Sequence, residues 1–251
     1  MTEALRVLHW NIHSWRDAAG NPNAAAVTAL IREVGPDVVS LVEVNEPLGA
    51  PATLAQIADE CGYSWVFGPC LEYTTAEREG GYGNALLARE PVTAVHQWRV
   101  FSPGRLYDGS EQSEPRIVLL ARLGAQAGFW VGSTHFPASD RHARRDAGRR
   151  LQQLVRRLDE PWLICGDFND EPSACFTDDG TFTVSRDLVR PTFPAKRPRK
   201  SIDYCIGRPG LVLATTALPA AGSDHLPVLT TVGADLPARR GRERTFTDCA
   251  R

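Results

Sequence analysis

The segment from Pro161 to Asp170 constrains the fold more than any other part of the chain. Trp162, Leu163, Ile164 and Cys165 form an apolar run of strand length that meets Gly166, and Asp167 and Asn169 follow two residues apart. In an extended chain, residues two apart point to the same side. Such a strand delivers a carboxylate and an amide to one end of a sheet, where they can hold water or a metal. Taken alone, the segment also fits a strand followed by a turn, because Asp and Asn favour turns for local reasons. Other apolar runs end in the same way. Val7-Leu8-His9-Trp10 ends at the amide of Asn11, and Val38 to Val42 ends at the carboxylate of Glu43. Phe129 to Thr134 ends at His135, and Ser223-Asp224-His225 stands at the foot of the run from Leu226 to Val232.

The remaining pattern predicts strands interrupted by few helices. Asn23 to Val34 carries Val27, Leu30 and Ile31 at helical spacing, with Pro22 ahead and Gly35-Pro36 behind as start and stop signals. Thr53 to Cys61 predicts a second helix, ended by Gly62. Asp140 to Leu158 predicts the longest, with Ala143, Ala147, Leu151, Leu154, Val155 and Leu158 in one apolar stripe. Strand patterns cover 6–11, 37–43, 64–67, 84–89, 92–101, 116–123, 129–135, 162–167, 201–206, 212–216 and 227–232. The middle strands follow one another without helices, which predicts antiparallel hairpins and not a nucleotide-binding sheet of alternating strands and helices. On pattern alone the class is α/β or α+β. One domain is expected over residues 1–237, with 238–251 an exposed tail.

Composition narrows the function. The 251 residues are 43% hydrophobic, enough for a large core, and the net charge of -2 excludes a globally basic nucleic-acid binder. A local basic groove stays possible. Met1-Thr2-Glu3-Ala4 leads directly into the first strand with no stretch of signal-peptide length, and no run is long enough to span a bilayer. A cytoplasmic protein without membrane insertion or an obligate protein partner is therefore expected. The cysteines at 61, 70, 165, 175, 205 and 249 include no Cys-x-x-Cys pair. They read as free thiols, with Cys165 and Cys205 as small buried hydrophobes.

Asn11, Glu43, Ser133-Thr134-His135, Gly166-Asp167-Phe168-Asn169, Ile202-Asp203-Tyr204 and Ser223-Asp224-His225 stand in an order that resembles the motifs of the endonuclease/exonuclease/phosphatase superfamily. The resemblance spans nearly the whole chain. It implies a four-layer DNase I-like fold, in which two packed, largely antiparallel sheets are sandwiched by helices.

It also implies roles. Glu43, a strand-end carboxylate that is costly to desolvate unless paired, fits as the principal ligand of Mg²⁺ or Mn²⁺, with Asn11 and Asp224 close to the metal. The bland alternative for Glu43 is an exposed strand end. Asp167 would activate and orient the attacking water, and Asn169 would hold that water or the phosphate. Asp203 would fix the tautomer of His225, which would stabilise charge on the phosphoryl oxygens. His135 would lie across the phosphate from His225. Asn11, Tyr82, Asn84 and Arg116 are substrate-side candidates, with Arg116 also expected to pair with Glu43 or another core carboxylate. His9, His96 and His142 read as structural, and His13 stays a weak candidate because it follows Asn11 so closely.

Two basic runs differ in meaning. Arg141, Arg144, Arg145, Arg149 and Arg150 read as the solvated face of the long helix. Lys196-Arg197-Pro198-Arg199-Lys200 lies just upstream of Asp203 and is expected to reach the mouth of the site. Loops at 68–81 and 102–115, rich in Glu and Asp, are expected to rim the same end and to disfavour long DNA. The expected activity is metal-dependent hydrolysis of a small phosphate ester or short nucleic acid by in-line attack of water. A nuclease is the alternative, and a non-catalytic binding protein on the same fold is the alternative of another class.

Overall fold

A computed structural model of the chain describes residues 4–47, 53–74, 79–105, 107–110, 114–124, 128–138, 140–185 and 191–233. Its strands, in spatial order across the first sheet, are β11 (Leu213–Ala217), β12 (Val228–Val232), β1 (Leu5–Asn11), β2 (Val38–Pro47), β4 (Glu79–Ala88) and β3 (Ser64–Thr74). The second sheet runs β5 (Val92–Phe101), β6 (Arg116–Leu123), β7 (Phe129–His135), β8 (Trp162–Asp167), β10 (Asp203–Gly207) and β9 (Thr183–Val184). Neighbours pair antiparallel except for β1 with β2 and β7 with β8. Parallel neighbours need a crossover. Helix α1 (Ala24–Val34) supplies the first and α3 (Arg141–Val155) the second. These two helices coincide with two of the amphipathic stretches of the sequence.

Strand alternation divides the apolar side chains into three layers. Val7, Val38 and Leu86 of the first sheet meet Leu119, Val131 and Leu163 of the second between the sheets. The opposite face of the first sheet, with Leu8, Trp10 and Leu41, packs on Val27 and Ile31 of α1 and on Leu54 and Ile57 of α2 (Thr53–Cys61). The outer face of the second sheet, with Leu120, Ile164 and Tyr204, packs on Ala147, Leu151 and Val155 of α3. Two sheets with helices outside both of them are the four layers expected from the resemblance. Helix ends follow local chemistry. Gly35 closes α1 in the left-handed conformation, donating to Ile31 O, and Asp140 caps α3 by accepting from the His142 N–H.

Three expectations need correction. Residues 68–74 and 79–81 are not loop, because β3 and β4 continue past the site, paired antiparallel from Gly68–Asn84 to Thr74–Glu79 with one register shift between Pro69 and Leu71. Glycines at 80, 81 and 83 hid the strand pattern there, and they sit where a Cβ would press on Tyr73, Phe67 or the backbone of Gly68. The cysteines are not all free: Cys165 and Cys205 form a disulfide, with Cα atoms 4.1 Å apart. They stand directly opposite each other in the register of β8 and β10, a proximity that sequence spacing cannot show. The strand expected to begin at Ser201 starts at Asp203, and the short helix α4 (Pro172–Cys175) and strand β9 carried no periodic signal. The tail at 238–251 lies outside the described residues, as does part of 102–115. No helix among the described residues is long and apolar enough to cross a membrane.

Candidate active site

The site forms where the layer between the sheets turns from apolar to polar. On β8, Leu163 and Cys165 point inward and Asp167 continues their row; on β10, Cys205 points inward and so does Asp203. On β1 the row Val7, His9, Asn11 does the same, and on β7 the row Val131, Ser133, His135. Register aligns the ends: Asp167 is opposite both Asp203 and His135. Glu43 needs a further device. Val42 and Val44 flank a bulge in β2, and Glu43 between them takes φ +57°. The extra residue leaves Val44 in the helix-side layer and turns Glu43 to the site. A left-handed conformation at a side chain with a Cβ costs on the order of 1–3 kcal/mol, which marks Glu43 as a position where function outweighs local preference.

Asp167 is the hub, 1% exposed. Its Oδ2 accepts from Asn11 Nδ2 at 3.0 Å and its Oδ1 from the Asn169 N–H at 2.9 Å. His225 Nε2 lies 3.6 Å from Oδ2 on one side, and His135 Nε2 lies 3.7 Å from it on another. Asn11 Nδ2 also donates to Glu43 Oε1 at 2.9 Å, so one amide ties the two carboxylates together. Behind His225, Asp203 accepts from Nδ1 at 2.9 Å, and it is fully buried. Ser223 anchors the segment by donating to Asn11 O at 2.7 Å, and Trp10 Nε1 donates to His225 O at 3.0 Å.

The charges are set by these contacts. Burial tends to strip the proton from His225, but the carboxylates of Asp203 and Asp167 outweigh it and push the imidazole up to about 10. His225 is a cation at neutral pH. Burial pushes Asp203 up, and His225 followed by His9 overcomes this and holds it below the ordinary carboxylate range. Asp167 is pushed up to about 7, by burial first and the Asp203 charge second, against the pull of His225 and Asn11. Two carboxylates with separated affinities around one cation are a common basis for acid–base division of labour.

His135 is the opposite case. Burial and then the Arg116 guanidinium hold it well below the usual imidazole value. Arg116 Nη1 lies 3.0 Å from His135 Nδ1. A guanidinium only donates, so the single lone pair of the neutral ring faces Arg116 and Nε2 carries the proton. That N–H points at Asn169, whose Nδ2 is 3.0 Å away and already donates to Phe136 O at 2.9 Å. Two donors therefore face each other with no acceptor between them. Asn169 itself is held with φ +56°.

Other expected positions fall differently. Of the two carboxylate partners expected for Arg116, the pair is with one other than Glu43: the residue is 2% exposed, with Nη2 on Glu114 Oε2 at 2.6 Å and Nη1 3.0 Å from His135 Nδ1. Asn84 Nδ2 donates to Ser133 O at 3.1 Å and Ile117 O at 3.3 Å, which stitches the two sheets together. Tyr82 is half-buried, and its phenol is raised by burial first and by Glu43 next, which places it beside Glu43. Asp224 Oδ1 accepts from Ser223 Oγ at 3.2 Å and lies 3.9 Å from His13 Nδ1. Lys196 and Arg197 are exposed on a loop whose backbone is tied to the site through Ala195 N on Asp224 O at 2.6 Å. His9, read as structural, sits 3.7 Å from Asp203 Oδ1 with Nδ1 3.1 Å from Ser40 Oγ, so it backs the Asp203–His225 pair. Its position two residues before Asn11 on the same strand was the signal that could have revealed this.

Asp167, Asp203 and His225 bring potential metal-ligand atoms within 4.8 Å of one another. In that group the His225 proton offsets one of the two carboxylate charges. Glu43 differs: its described contact is the Asn11 amide, and among the described residues no cation pairs with it. A half-buried oxygen donor without a counter-charge fits a hard divalent cation better.

Known proteins place the chain in a family. The profile of the Endonuclease/Exonuclease/phosphatase family matches residues 8–225. Among solved structures, an endonuclease/exonuclease/phosphatase from Beutenbergia cavernae DSM 12333 superposes with TM-score 0.70 at 23% identity, covering 92% of this chain and 71% of that one. A mannosyl-6-phosphatase from Bacteroides thetaiotaomicron VPI-5482 gives TM-score 0.70 at 16% identity over 91% and 99% of the two chains. The human Nocturnin catalytic domain with bound sulfate gives 0.65 at 18% identity over 92% and 93%. No curated protein matches the chain. The profile match from β1 to His225, on two mixed six-stranded sheets of the DNase I-like type, establishes that the chain belongs to the Endonuclease/Exonuclease/phosphatase family, whose members are hydrolases of phosphoester bonds.

Proposed function

We propose that the protein is a Mg²⁺- or Mn²⁺-dependent phosphoesterase that hydrolyses small phosphate esters, with Asp167 as the base that orients and deprotonates the attacking water. The observation that carries this reading is the convergence on Asp167 of Asn11, Asn169, His135 and His225. The unsatisfied pair of donors, His135 Nε2–H and Asn169 Nδ2–H, forms a slot for a phosphoryl oxygen. His225, held cationic by Asp203, opposes the charge that develops across the phosphate. The family is generally dependent on a divalent metal. Glu43, with Asn11 beside it, would hold the ion, which supplies Lewis acidity at the phosphate and shields the leaving oxygen. Tyr82 walls the same corner.

Substrate size follows from the rim. Glu72 and Glu79 lie on the hairpin that extends past the site, while Asp108 and Glu114, after β5, are ion-paired with Arg105 and Arg116. Duplex DNA needs many phosphate contacts, and an acidic rim opposes them. Lys196, Arg197, Arg199 and Lys200 are exposed and could hold one or two additional phosphates, or a short nucleic acid. These exposed cations are the feature that favours the second reading, a nuclease. A non-catalytic binding protein is disfavoured by the intact set of acid, base and metal-side groups.

Two tests follow. Chelation with EDTA should abolish activity, and Mg²⁺ or Mn²⁺ should restore it; full activity in EDTA would sink the metal reading. The pH profile of kcat/KM should rise through about 7, as Asp167 ionises, and fall above about 10, as His225 loses its proton. A profile flat from pH 5 to 8 would remove Asp167 as the base.

A further inference from the structure

Asn23 stands at the N-cap of α1, a position where Asn ordinarily accepts from the first N–H groups of the helix. Here the side chain makes no cap bond. It is turned instead toward the segments that carry the candidate active site. Asn23 is 3% exposed, and its Nδ2 donates to three carbonyls, Ile12 O at 3.1 Å, Arg16 O at 2.9 Å and Gly222 O at 2.8 Å. Only a donor fits among three acceptors, with one of its N–H groups shared between two of them. The Asn23 backbone N–H donates to Trp15 O at 3.1 Å.

These partners belong to two segments. Ile12 follows Asn11, and Gly222 precedes Ser223, Asp224 and His225. Between Ile12 and Arg16, His13, Ser14 and Trp15 take φ +50°, +54° and +62°. Left-handed backbone is costly for a residue with a Cβ, and three in a row persist only where the surroundings hold them. Asn23 bonds both ends of this turn, and Trp15 is buried in the helix-side layer. The turn delivers the His13 N–H, which donates to Asn11 Oδ1 at 3.1 Å. With its oxygen engaged, the Asn11 amide has one orientation, and Nδ2 faces Glu43 at 2.9 Å and Asp167 at 3.0 Å. Turned over, the amide would set its oxygen against two carboxylates. On the other segment, Gly222 takes φ +100°, and a Cβ there would lie 3.1 Å from Ala26 Cβ, so the chain packs directly on the first turn of α1. The next residue, Ser223, donates to Asn11 O at 2.7 Å.

We propose that Asn23 is a positioning residue for the phosphoester reaction: through the left-handed turn it sets the Asn11 amide, and through Gly222 it registers the segment that ends at His225. The role rests on the phosphoesterase reading.

Asn23→Ser tests this, because Ser caps a helix as well as Asn does but is too short to reach three carbonyls. The variant should melt within about 4 °C of the parent protein. On the best of a panel of p-nitrophenyl esters, sugar phosphates and nucleotides, its kcat should fall about tenfold or more with KM changed by less than about twofold, as a misplaced group acting in the transition state requires. Asn23→Asp, of the same shape but with no side-chain N–H, should lose at least as much, and it carries the test if the Ser variant does not fold. In an Asn11→Ala background the loss caused by Asn23→Ser should shrink to about threefold or less, because the group it positions is already gone. Without substrate, hydrogen exchange of the His13 amide should quicken about tenfold in Asn23→Ser while that of α3 amides stays unchanged. Undiminished kcat in the folded variants, a full loss that persists in the Asn11→Ala background, or unchanged exchange at His13 would each overturn the proposal. With an active parent, those outcomes leave the phosphoesterase reading standing. A parent inert toward the whole panel would remove that reading, and this role with it.

Discussion

Replacing Asp167 with Asn should lower kcat by about 10²-fold or more, the usual range for a positioned acid–base group. The substitution keeps the shape of the side chain and removes the charge. Its Oδ1 can still accept from the Asn169 N–H, but the new amide nitrogen would confront Asn11 Nδ2, which now donates to Asp167 at 3.0 Å. Since Asp167 is 1% exposed, this unsatisfied contact should also cost about 1–3 kcal/mol of stability. Kinetics and denaturant melts on the same preparation separate the two effects. A variant that is destabilised but turns over normally would transfer the role of base to another residue.

The Asp203–His225 pair should give a loss of similar size, about 10²- to 10³-fold in kcat, for His225→Ala and for Asp203→Ala. The double variant should be little worse than either single one, because the two act as a unit. Asp203 is fully buried and holds Nδ1 of His225 at 2.9 Å. Without it, burial drives the imidazole to its neutral form, and the cation beside the phosphate is lost whether or not the ring remains. The pair also ties stability to pH. The folded His225 binds its proton more tightly than an ordinary imidazole at 6.5, so its contribution is complete below that pH and is lost as pH rises toward about 10. The denaturation midpoint of the parent protein should fall over that window, and His225→Ala should flatten the slope. Fully additive losses in the double variant would contradict a shared role.

The rows that build the site were legible because strand alternation is local. Asp167 could be placed on one side of its strand from spacing alone, Asn11 and Glu43 at the ends of theirs, and α1 and α3 from their apolar stripes, while Asp203 was indicated only by the family resemblance. What could not be read depends on partners distant in the chain. Glu43 faces the site only because of a bulge set by the register of β2 on β4. The disulfide of Cys165 with Cys205 and the opposition of Asp203 to Asp167 arise from one pairing, β8 with β10, across 36 or more residues. Arg116 reaches His135 and Glu114 instead of Glu43 because β6 and β7 are neighbours in the second sheet while Glu43 belongs to the first. Asn84 resembled a site residue in its sequence block, yet both of its contacts are to backbone carbonyls of the opposite sheet. The strand at 68–74 and 79–81 was hidden for the reverse reason, since Gly80 and Gly81 read as loop while their pairing with Tyr73 and Glu72 of β3 makes them strand.

The most direct test of the account is a comparison of kcat/KM, in Mg²⁺ at physiological salt, for a panel of sugar phosphates and nucleotides against nicking of duplex plasmid. The geometry of Asp167, His135 and His225, the Glu72 and Glu79 carboxylates on the hairpin and the basic loop at 196–200 predict efficient release of product from at least one small ester and slow nicking of the plasmid. Efficient nicking together with inertness toward every small ester would contradict the account and put the nuclease reading in its place.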